Sequence, residues 1–331
     1  MPNRSLTASA VVLLAAAPGC FETQVYPTPT FEADDVRLEM PDNGLRSLGG
    51  EGEVMGLADE VASDVNGWVV DMAVDFGRVL NELSQYEPTR EDGAWRVYGP
   101  FDAEGGEDLS WMVRVEGDET RAAFEIHAGN AGVREREMLT VFAGELEEAD
   151  EQRAGKITID FDAIRSLEPL RREFSETDDF GGSIAVSFDR DVDTKAKSVE
   201  LQFDGFHYAD RDEDLEYRDE TYLYDRAEDG AGIFHFATWG TFDDEGWSGP
   251  ERERVTVDMV WDAELAGRAR AQVLEVDGEG DLLHGDLVLH ECFDPGFQLT
   301  WARANEPYAG LNGYDEGDAT ACRLGEDVFE E

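Results

Sequence analysis

The segments Ile157-Thr-Ile-Asp-Phe-Asp162, Ile184-Ala-Val-Ser-Phe-Asp189 and Val199-Glu-Leu-Gln-Phe-Asp204 set the fold class of this chain. In each segment, apolar side chains alternate with polar or small ones, which is the two-residue period of a strand with one buried and one wet face. The same period runs from Leu109 to Val115 and from Val255 to Trp261. The pattern predicts antiparallel β-strands through most of the chain.

A helical pattern precedes these strands. From Val54 onward, apolar residues recur at the three-and-four spacing of one helical face, while the opposite side carries acidic residues such as Glu60 and Asp71. Pro88 ends the pattern because proline interrupts helical hydrogen bonding. The sequence therefore predicts one long amphipathic helix over residues 54–86, whose apolar stripe, including Phe76, packs into the core.

The number of strands shapes the expected architecture. About twelve alternating segments can be counted, and their irregular spacing argues against a propeller or solenoid repeat. One helix about 10 Å wide covers two or three strands spaced about 4.8 Å apart, so the sheet must cover most of its own apolar face. We expect an α+β, mainly antiparallel β fold, with a curved, incompletely closed, barrel-like sheet and the one long N-terminal helix packed on it.

The first residues resemble an export signal. Arg4 is followed by an apolar run from Leu6 to Ala17, which is too short to span a bilayer as a helix. The following Ala17-Pro18-Gly19-Cys20 resembles the lipobox of bacterial lipoproteins, in which the cysteine receives a diacylglycerol and becomes the new N-terminus. A plain secretory signal with an incidental cysteine is the alternative.

The predicted export signal and lipobox divide the chain into three parts. Residues 1–19 are the predicted lipoprotein signal peptide, residues 20–53 a flexible tether anchored by lipid on Cys20, and residues 54–331 a single β-rich domain that begins with the helix. Phe21, rather than an aspartate, follows the cysteine. In lipoprotein sorting as known for enteric bacteria, that residue implies the outer membrane, so we expect a cell-envelope protein attached to a membrane through its N-terminal lipid.

Two further cysteines, Cys292 and Cys322, remain in the mature chain. An exported protein meets oxidising conditions, so a disulfide between them is the natural prediction. Two unpaired thiols or a metal-binding pair are the alternatives, and the metal pair lacks companion ligands at a suitable spacing. A bond would fasten the C-terminal tail, which has few apolar residues of its own.

Charge is the strongest compositional signal. The chain has 77 acidic and 27 basic side chains, a formal net charge of −50, and lysines at positions 156, 195 and 197 alone. Such a surface repels nucleic acid, whose phosphates need clustered basic residues. The carboxylates can form either a cation-binding surface or a strongly solvated exterior. Because the acidic residues are spread over the whole chain, the sequence favours a strongly solvated exterior.

The chain contains no complete motif typical of catalysis or metal binding. Asp189, Asp191, Asp193 and Glu200 match the spacing of a calcium-binding hand, but Thr194 stands where glycine is needed and the flanks are strands instead of helices. The five histidines are scattered without metal-ligand spacing, and neither a nucleophile elbow nor a phosphate loop is complete. The sequence predicts no catalytic residue, no metal site and no cofactor.

A family resemblance rests on the lipobox, the single helix and three segments. These are Trp95-Arg-Val-Tyr-Gly-Pro-Phe101, Ile159-Asp-Phe-Asp-Ala-Ile-Arg-Ser-Leu-Glu-Pro169 and Glu291-Cys-Phe-Asp-Pro-Gly-Phe297. Together they resemble a family of uncharacterised lipoproteins from bacteria of the myxobacterial type, which carries no established activity. The architecture is loosely similar to periplasmic lipoprotein carriers, a likeness of fold that assigns no residues.

Three functional hypotheses follow from these observations. The first is a non-enzymatic envelope lipoprotein that binds an apolar ligand between sheet and helix. The second is a structural or assembly lipoprotein with a filled core, and the third is a hydrolase that uses exposed carboxylates. A continuous apolar cavity would favour the first and a packed interior the second; protein partners are not indicated by the sequence.

Overall fold

The computed structural model describes residue 26 and residues 28–41, 53–102, 108–174, 179–209, 214–217, 220–240, 252–277, 287–305 and 315–329. The chain forms two compact units. The first contains Met1–Arg37, Val65–Asp193 and Val199–Asp219, and the second contains Leu38–Asp64, Thr194–Ser198 and Glu220–Glu331.

The described residues contain four α-helices and sixteen strands. The helices are α1 (Ala33–Val36), α2 (Glu53–Leu83), α3 (Phe161–Ser166) and α4 (Glu168–Phe174). The strands that lie wholly or mainly in the first unit are β1 (Arg90–Asp92), β2 (Trp95–Asp102), β3 (Leu109–Gly117), β4 (Arg121–Asn130), β5 (Leu139–Ala149), β6 (Gln152–Asp160), β7 (Asp179–Asp191), β8 (Lys197–Ala209) and β9 (Asp214–Tyr217). Those of the second unit are β10 (Thr221–Arg226), β11 (Gly232–Gly240), β12 (Arg252–Trp261), β13 (Gly267–Asp277), β14 (Val288–Phe293), β15 (Leu299–Ala304) and β16 (Asp315–Gly317).

In the first unit, strands β1 to β8 are neighbours in chain order, and β9 pairs with β8. The pairings from β1 to β7 are antiparallel; Ile157 of β6, for example, lies opposite Val186 of β7. The alternating apolar residues of these strands are buried, including Ile157, Ile184 and Val199. The mainly antiparallel β prediction is confirmed here.

In the second unit, strands β10 to β16 also follow chain order, and each pairing is antiparallel. Val255, Val257, Met259 and Trp261 of β12 are buried, and the intervening side chains are half-exposed. The two-residue period therefore identified the inner face of this strand correctly.

Two details of the predicted sheet differ from the structure. The described strands number sixteen instead of about twelve, because β1, β9 and β16 have three or four residues, too few for alternation to reveal. The strand order within each unit is a simple run that does not return to its first strand. The described pairings therefore do not support the barrel-like part of the prediction.

The long helix α2 runs from Glu53 to Leu83, so it ends before position 86, where the sequence pattern placed its end. Its part from Val65 onward belongs to the first unit. Val69, Ala73, Phe76 and Leu80 on this part are buried at the expected three-and-four spacing. This confirms that the apolar stripe of the helix belongs to the core.

An aromatic cluster fills the core of the first unit. The ring of Phe76 on α2 lies 5.3 Å from Phe124 of β4 and 5.0 Å from Phe142 of β5. Phe31 lies 5.6 Å from Phe124 and 6.0 Å from Phe188 of β7, both with edge-to-face geometry. These four ring pairs link Phe76 and Phe31 to three strand positions, and each pair adds to the stabilisation that burial alone gives.

Gly77 allows this close packing. A β-carbon at that position would lie 2.7 Å from the carbonyl oxygen of Phe31, which is shorter than a van der Waals contact. The bare helix surface therefore lets the segment around Phe31 lie directly against α2.

The short helices α3 and α4 cover another part of the first unit. Asp160 accepts a 2.8 Å hydrogen bond from the amide of Ala163 and so caps α3. Phe161, Ile164 and Leu170 are buried. Pro169 stands at the second position of α4, where its missing amide hydrogen costs little.

The start of α2 lies in the second unit and is capped by a distant carboxylate. The amides of Val54 and Met55 donate to the two side-chain oxygens of Glu291, each at 3.1 Å. Glu291 is 1% exposed. The first amides of a helix have no partner within the helix, and its N-terminus favours negative charge, so this carboxylate satisfies both requirements.

Glu291→Ala is expected to lower the free energy of unfolding by about 1–3 kcal/mol, because two buried amides lose their acceptor. Chemical denaturation followed by circular dichroism measures the change. Glu316→Ala, at an exposed position, is the control. Equal stability of the Glu291→Ala variant and the control would contradict the capping role.

Candidate functional site

The disulfide predicted from the sequence is present. Cys292 of β14 and Cys322 are bonded, with an S–S distance of 2.15 Å and a Cα–Cα distance of 5.4 Å. Cys322 directly follows a 3₁₀ turn, Ala319–Ala321, and Cys292 is fully buried. The bond fastens the segment of residues 318–329, which we call the C-terminal cover, to the sheet of the second unit.

Ionic contacts also hold the C-terminal cover: its Arg323 pairs with Glu264 at 2.8 Å and with Asp262 at 3.3 Å, and Arg268 of β13 contacts it at two points. The Nη1 of Arg268 donates to the carbonyl oxygen of Leu324 at 3.0 Å, and its Nη2 donates to the carboxylate of Glu326 at 2.9 Å. Arg268 is only 4% exposed, whereas the side chain of Glu326 is 71% exposed. The cover thus contributes a carboxylate to a guanidinium that is buried in the folded protein.

Aromatic rings complete this contact. The guanidinium of Arg268 lies 5.5 Å from the ring centre of Trp301 on β15, and that of Arg270 lies 4.7 Å from the ring centre of Phe329 in the cover. Both distances allow cation–π attraction. One arginine therefore stacks on a ring of the sheet and the other on a ring of the cover.

A row of polar side chains crosses neighbouring strands at Arg270. His235 of β11, Asp258 of β12, Arg270 and His290 of β14 are successive register partners. The Nδ1 of His235 lies 2.6 Å from one oxygen of Asp258, and Arg270 donates to the other oxygen at 2.7 and 3.1 Å. Burial alone would raise the pKa of Asp258, but the bonds from His235 and Arg270 outweigh it and lower the pKa.

His290 is the least satisfied member of this row. Its Nδ1 is buried and makes no hydrogen bond with a described residue, and its ring centre lies 6.3 Å from that of Trp301. Burial and the charge of Arg268 lower the pKa of His290, and Glu326 opposes them only in part. The imidazole is therefore held in its neutral form more strongly than an ordinary histidine.

A second polar cluster lies in the first unit, on the segment of residues 28–37, which we call the strap. Asp35 of α1 is fully buried. It accepts hydrogen bonds from Arg153 of β6 at 2.8 and 3.0 Å, from Arg190 of β7 at 3.1 Å and from the amide of Glu32 at 2.9 Å. Arg153 also donates to the carbonyl oxygen of Thr30 at 2.6 Å.

The strap lies within the stretch for which the sequence predicts a flexible tether. Phe31 and Val36 are 4% and 0% exposed. This part of the predicted tether is packed against the first unit because it supplies both an aromatic side chain to the core and a carboxylate to two arginines.

The calcium-like spacing falls on a strand hairpin. Asp189 and Asp191 end β7, β8 begins at Lys197, and a side-chain oxygen of Asp191 accepts from Gln152 at 2.7 Å. Within the described part of the chain, no group of three or more His, Cys, Asp or Glu residues is arranged to hold a metal ion.

Of the remaining histidines, His127 bonds Glu125 at 2.9 Å and His207 lies 3.7 Å from Asp179, whereas His284 lies outside the described residues. The predicted lipidation site, Cys20, also lies outside them. Among the helices that are described, none has the length and apolarity to cross a membrane.

No protein-family model, curated protein or solved structure matches this chain. The resemblance to lipoproteins of the myxobacterial type therefore stays a prediction.

The two arginines of β13, Arg268 and Arg270, were not predicted as a functional feature. Gly267-Arg-Ala-Arg-Ala271 places small residues between them, and Ala269 and Ala271 are buried. The chain has few basic residues. Two arginines that alternate with small, buried residues could therefore have predicted a strand face that carries positive charge.

The lowered pKa of His290 predicts a pH effect. As pH falls below about 6.5, the ordinary pKa of histidine, the unfolded chain binds a proton there more readily than the folded protein, so the free energy of unfolding decreases. His290→Asn should reduce this decrease, measured by denaturant unfolding at a series of pH values. His207→Asn is the control, and an unchanged pH dependence in His290→Asn would contradict the assignment.

Proposed function

We propose that this chain is a non-enzymatic lipoprotein of the cell envelope, with a filled core, that acts through its surface. A lipid on Cys20 would attach it to a membrane, and Phe21 favours the outer membrane. This is the structural or assembly hypothesis, which the geometry supports better than storage of an apolar ligand between helix and sheet.

The aromatic cluster of the first unit is the main support for a filled core over a ligand-binding one. Phe76 of the helix contacts two phenylalanines of the sheet at ring distances of 5.3 and 5.0 Å, and Phe31 of the strap contacts two at 5.6 and 6.0 Å. An apolar ligand at this place would have to displace rings that already pack against each other. Protein interiors lose stability when such contacts are broken.

The strap supports the same proposal. A chain that leaves a lipid anchor at Cys20 would reach the folded unit at the strap, where Asp35 and Arg153 are 0% and 4% exposed. Buried ion pairs of this kind are costly to break by removal of one partner. The attachment point of the tether is therefore a firm part of the fold, as an anchored scaffold requires.

The histidine–carboxylate pair of the second unit does not by itself support a hydrolase. His235 and Asp258 form a histidine–carboxylate pair, which could activate a nucleophile. The register partner of His235 on its other neighbouring strand is Leu223. Neither partner of His235 offers a hydroxyl or thiol, so the pair is better explained by the ionic contact with Arg270.

Lipidation is tested by Cys20→Ser. We expect the variant to leave the membrane fraction and to keep the circular dichroism spectrum of the parent protein, since the aromatic cluster and the contacts of Asp35 are made by other residues. Immunoblotting of membrane and soluble fractions measures the distribution. Ser9→Ala is the control, and a Cys20→Ser protein that stays in the membrane fraction would show that the anchor is elsewhere.

The filled core is tested by native mass spectrometry of protein extracted from its membrane. We expect no second lipid bound at one-to-one ratio beyond the covalent one. A lipid that co-purifies at that ratio and is lost in Phe76→Ala would instead support the apolar-ligand hypothesis.

A further inference from the structure

The sheet of the second unit presents a cationic and aromatic surface beneath the C-terminal cover. We call it the arginine face and define it by Arg268, Arg270, His290 and Trp301. Arg270 and His290 are direct register partners on β13 and β14, while Arg268 stacks on Trp301. Two arginines are thus brought together on one strand face of a chain whose formal net charge is −50.

The occupant of the arginine face is an acidic segment of the same chain. Residues 323–329 read Arg-Leu-Gly-Glu-Asp-Val-Phe, and Glu326–Phe329 forms a 3₁₀ turn. Side chains three residues apart lie on the same side of such a turn. Glu326 and Phe329 consequently point together at the sheet, where the carboxylate meets Arg268 and the ring meets Arg270.

These contacts define what the surface recognises. A buried guanidinium with a carboxylate gives a charge-assisted hydrogen bond, and a second guanidinium beside an aromatic ring gives cation–π attraction. The backbone also takes part, through the carbonyl oxygen of Leu324. The matching ligand is an acidic peptide in which a glutamate is followed three residues later by an aromatic residue.

We propose that the arginine face is a binding surface for acidic peptide segments of a partner protein, and that the C-terminal cover is its built-in occupant, locked by the Cys292–Cys322 disulfide. Reduction of that bond by a dithiol transfers two electrons and two protons, leaves two thiols, and converts the dithiol into its own disulfide. The cover can then dissociate and a partner segment can take its place. This goes beyond the proposed function, because it names a surface and a partner chemistry and does not depend on lipidation.

The disulfide determines how strongly the cover competes with a partner. A linked segment acts at a high effective concentration, and the Cys292–Cys322 bond holds it beside its site even when the other contacts open. The cover also remains connected through β16 after reduction, so it weakens partner binding without abolishing it. The informative quantity is therefore the ratio of affinities between reduced and oxidised protein.

The test uses a fluorescent peptide that copies residues 323–329, added to the full chain and followed by anisotropy. We expect the peptide to bind at least about tenfold more tightly to dithiol-treated protein, and to Cys322→Ser, than to the oxidised protein, since loss of the covalent link lowers the effective concentration of the cover. Peptides carrying Glu326→Gln or Phe329→Ala should each bind about tenfold more weakly, because one charged or aromatic contact is lost.

Protein variants locate the site. In the Cys322→Ser background, Arg268→Gln should weaken binding at least about tenfold by removing the guanidinium that holds the carboxylate. Arg165→Gln, at an exposed ion pair on α3 in the first unit, is the charge-matched control and should have no effect. The altered peptides test the same contacts with an unaltered protein, so the test does not depend on Arg268→Gln folding.

Three results would overturn the proposal. One is equal affinity of the peptide for oxidised and reduced protein, and another is no measurable binding to either. The third is equal binding of the parent and Glu326→Gln peptides, which would mean that the surface does not recognise the carboxylate.

Discussion

The buried carboxylate of Asp35 is the interaction on which the first unit depends. It is fully removed from solvent and accepts four hydrogen bonds, three of them from Arg153 and Arg190 on adjacent strands. A buried charge is tolerated when it is paired and its lone pairs are satisfied, and removal of one partner then costs several kcal/mol. Because Asp35 belongs to the strap, this cluster fixes Phe31 over the strands, and Phe31 in turn closes the aromatic core.

The same chemistry recurs in the second unit. Arg268 is almost fully buried and holds the C-terminal cover through Glu326, and Glu291 caps the start of α2. With 27 basic against 77 acidic side chains, exposed carboxylates repel one another, and an arginine that is placed between strands becomes a preferred partner for them. In each unit, a buried arginine pairs with a carboxylate of a segment that packs on the sheet, Asp35 of the strap in the first and Glu326 of the C-terminal cover in the second.

Local patterns predicted the elements but not the contacts between distant elements. Alternation identified most of the strands, the three-and-four spacing identified α2, and the predicted export signal together with Cys292 and Cys322 led to the predicted disulfide. The pairing of Asp35 with Arg153 was not predictable, since more than a hundred positions separate them and acidic residues that could pair with an arginine occur throughout the sequence. The sequence predicted that the disulfide holds the C-terminal tail on the domain. The contact of the cover with Arg268 depends on which residues of neighbouring strands face each other, and the two-residue period does not determine that pairing.

Hydrogen-exchange mass spectrometry of Asp35→Asn, compared with the parent protein, tests most directly whether buried arginine–carboxylate contacts hold the terminal segments. We predict that peptides covering the strap lose protection in the variant, while peptides from β4 and β5 keep it, because those strands retain their own hydrogen-bonded neighbours. An Asp35→Asn protein whose strap exchanges as slowly as that of the parent would contradict the account, since Phe31 and its neighbours would then be held by apolar packing alone.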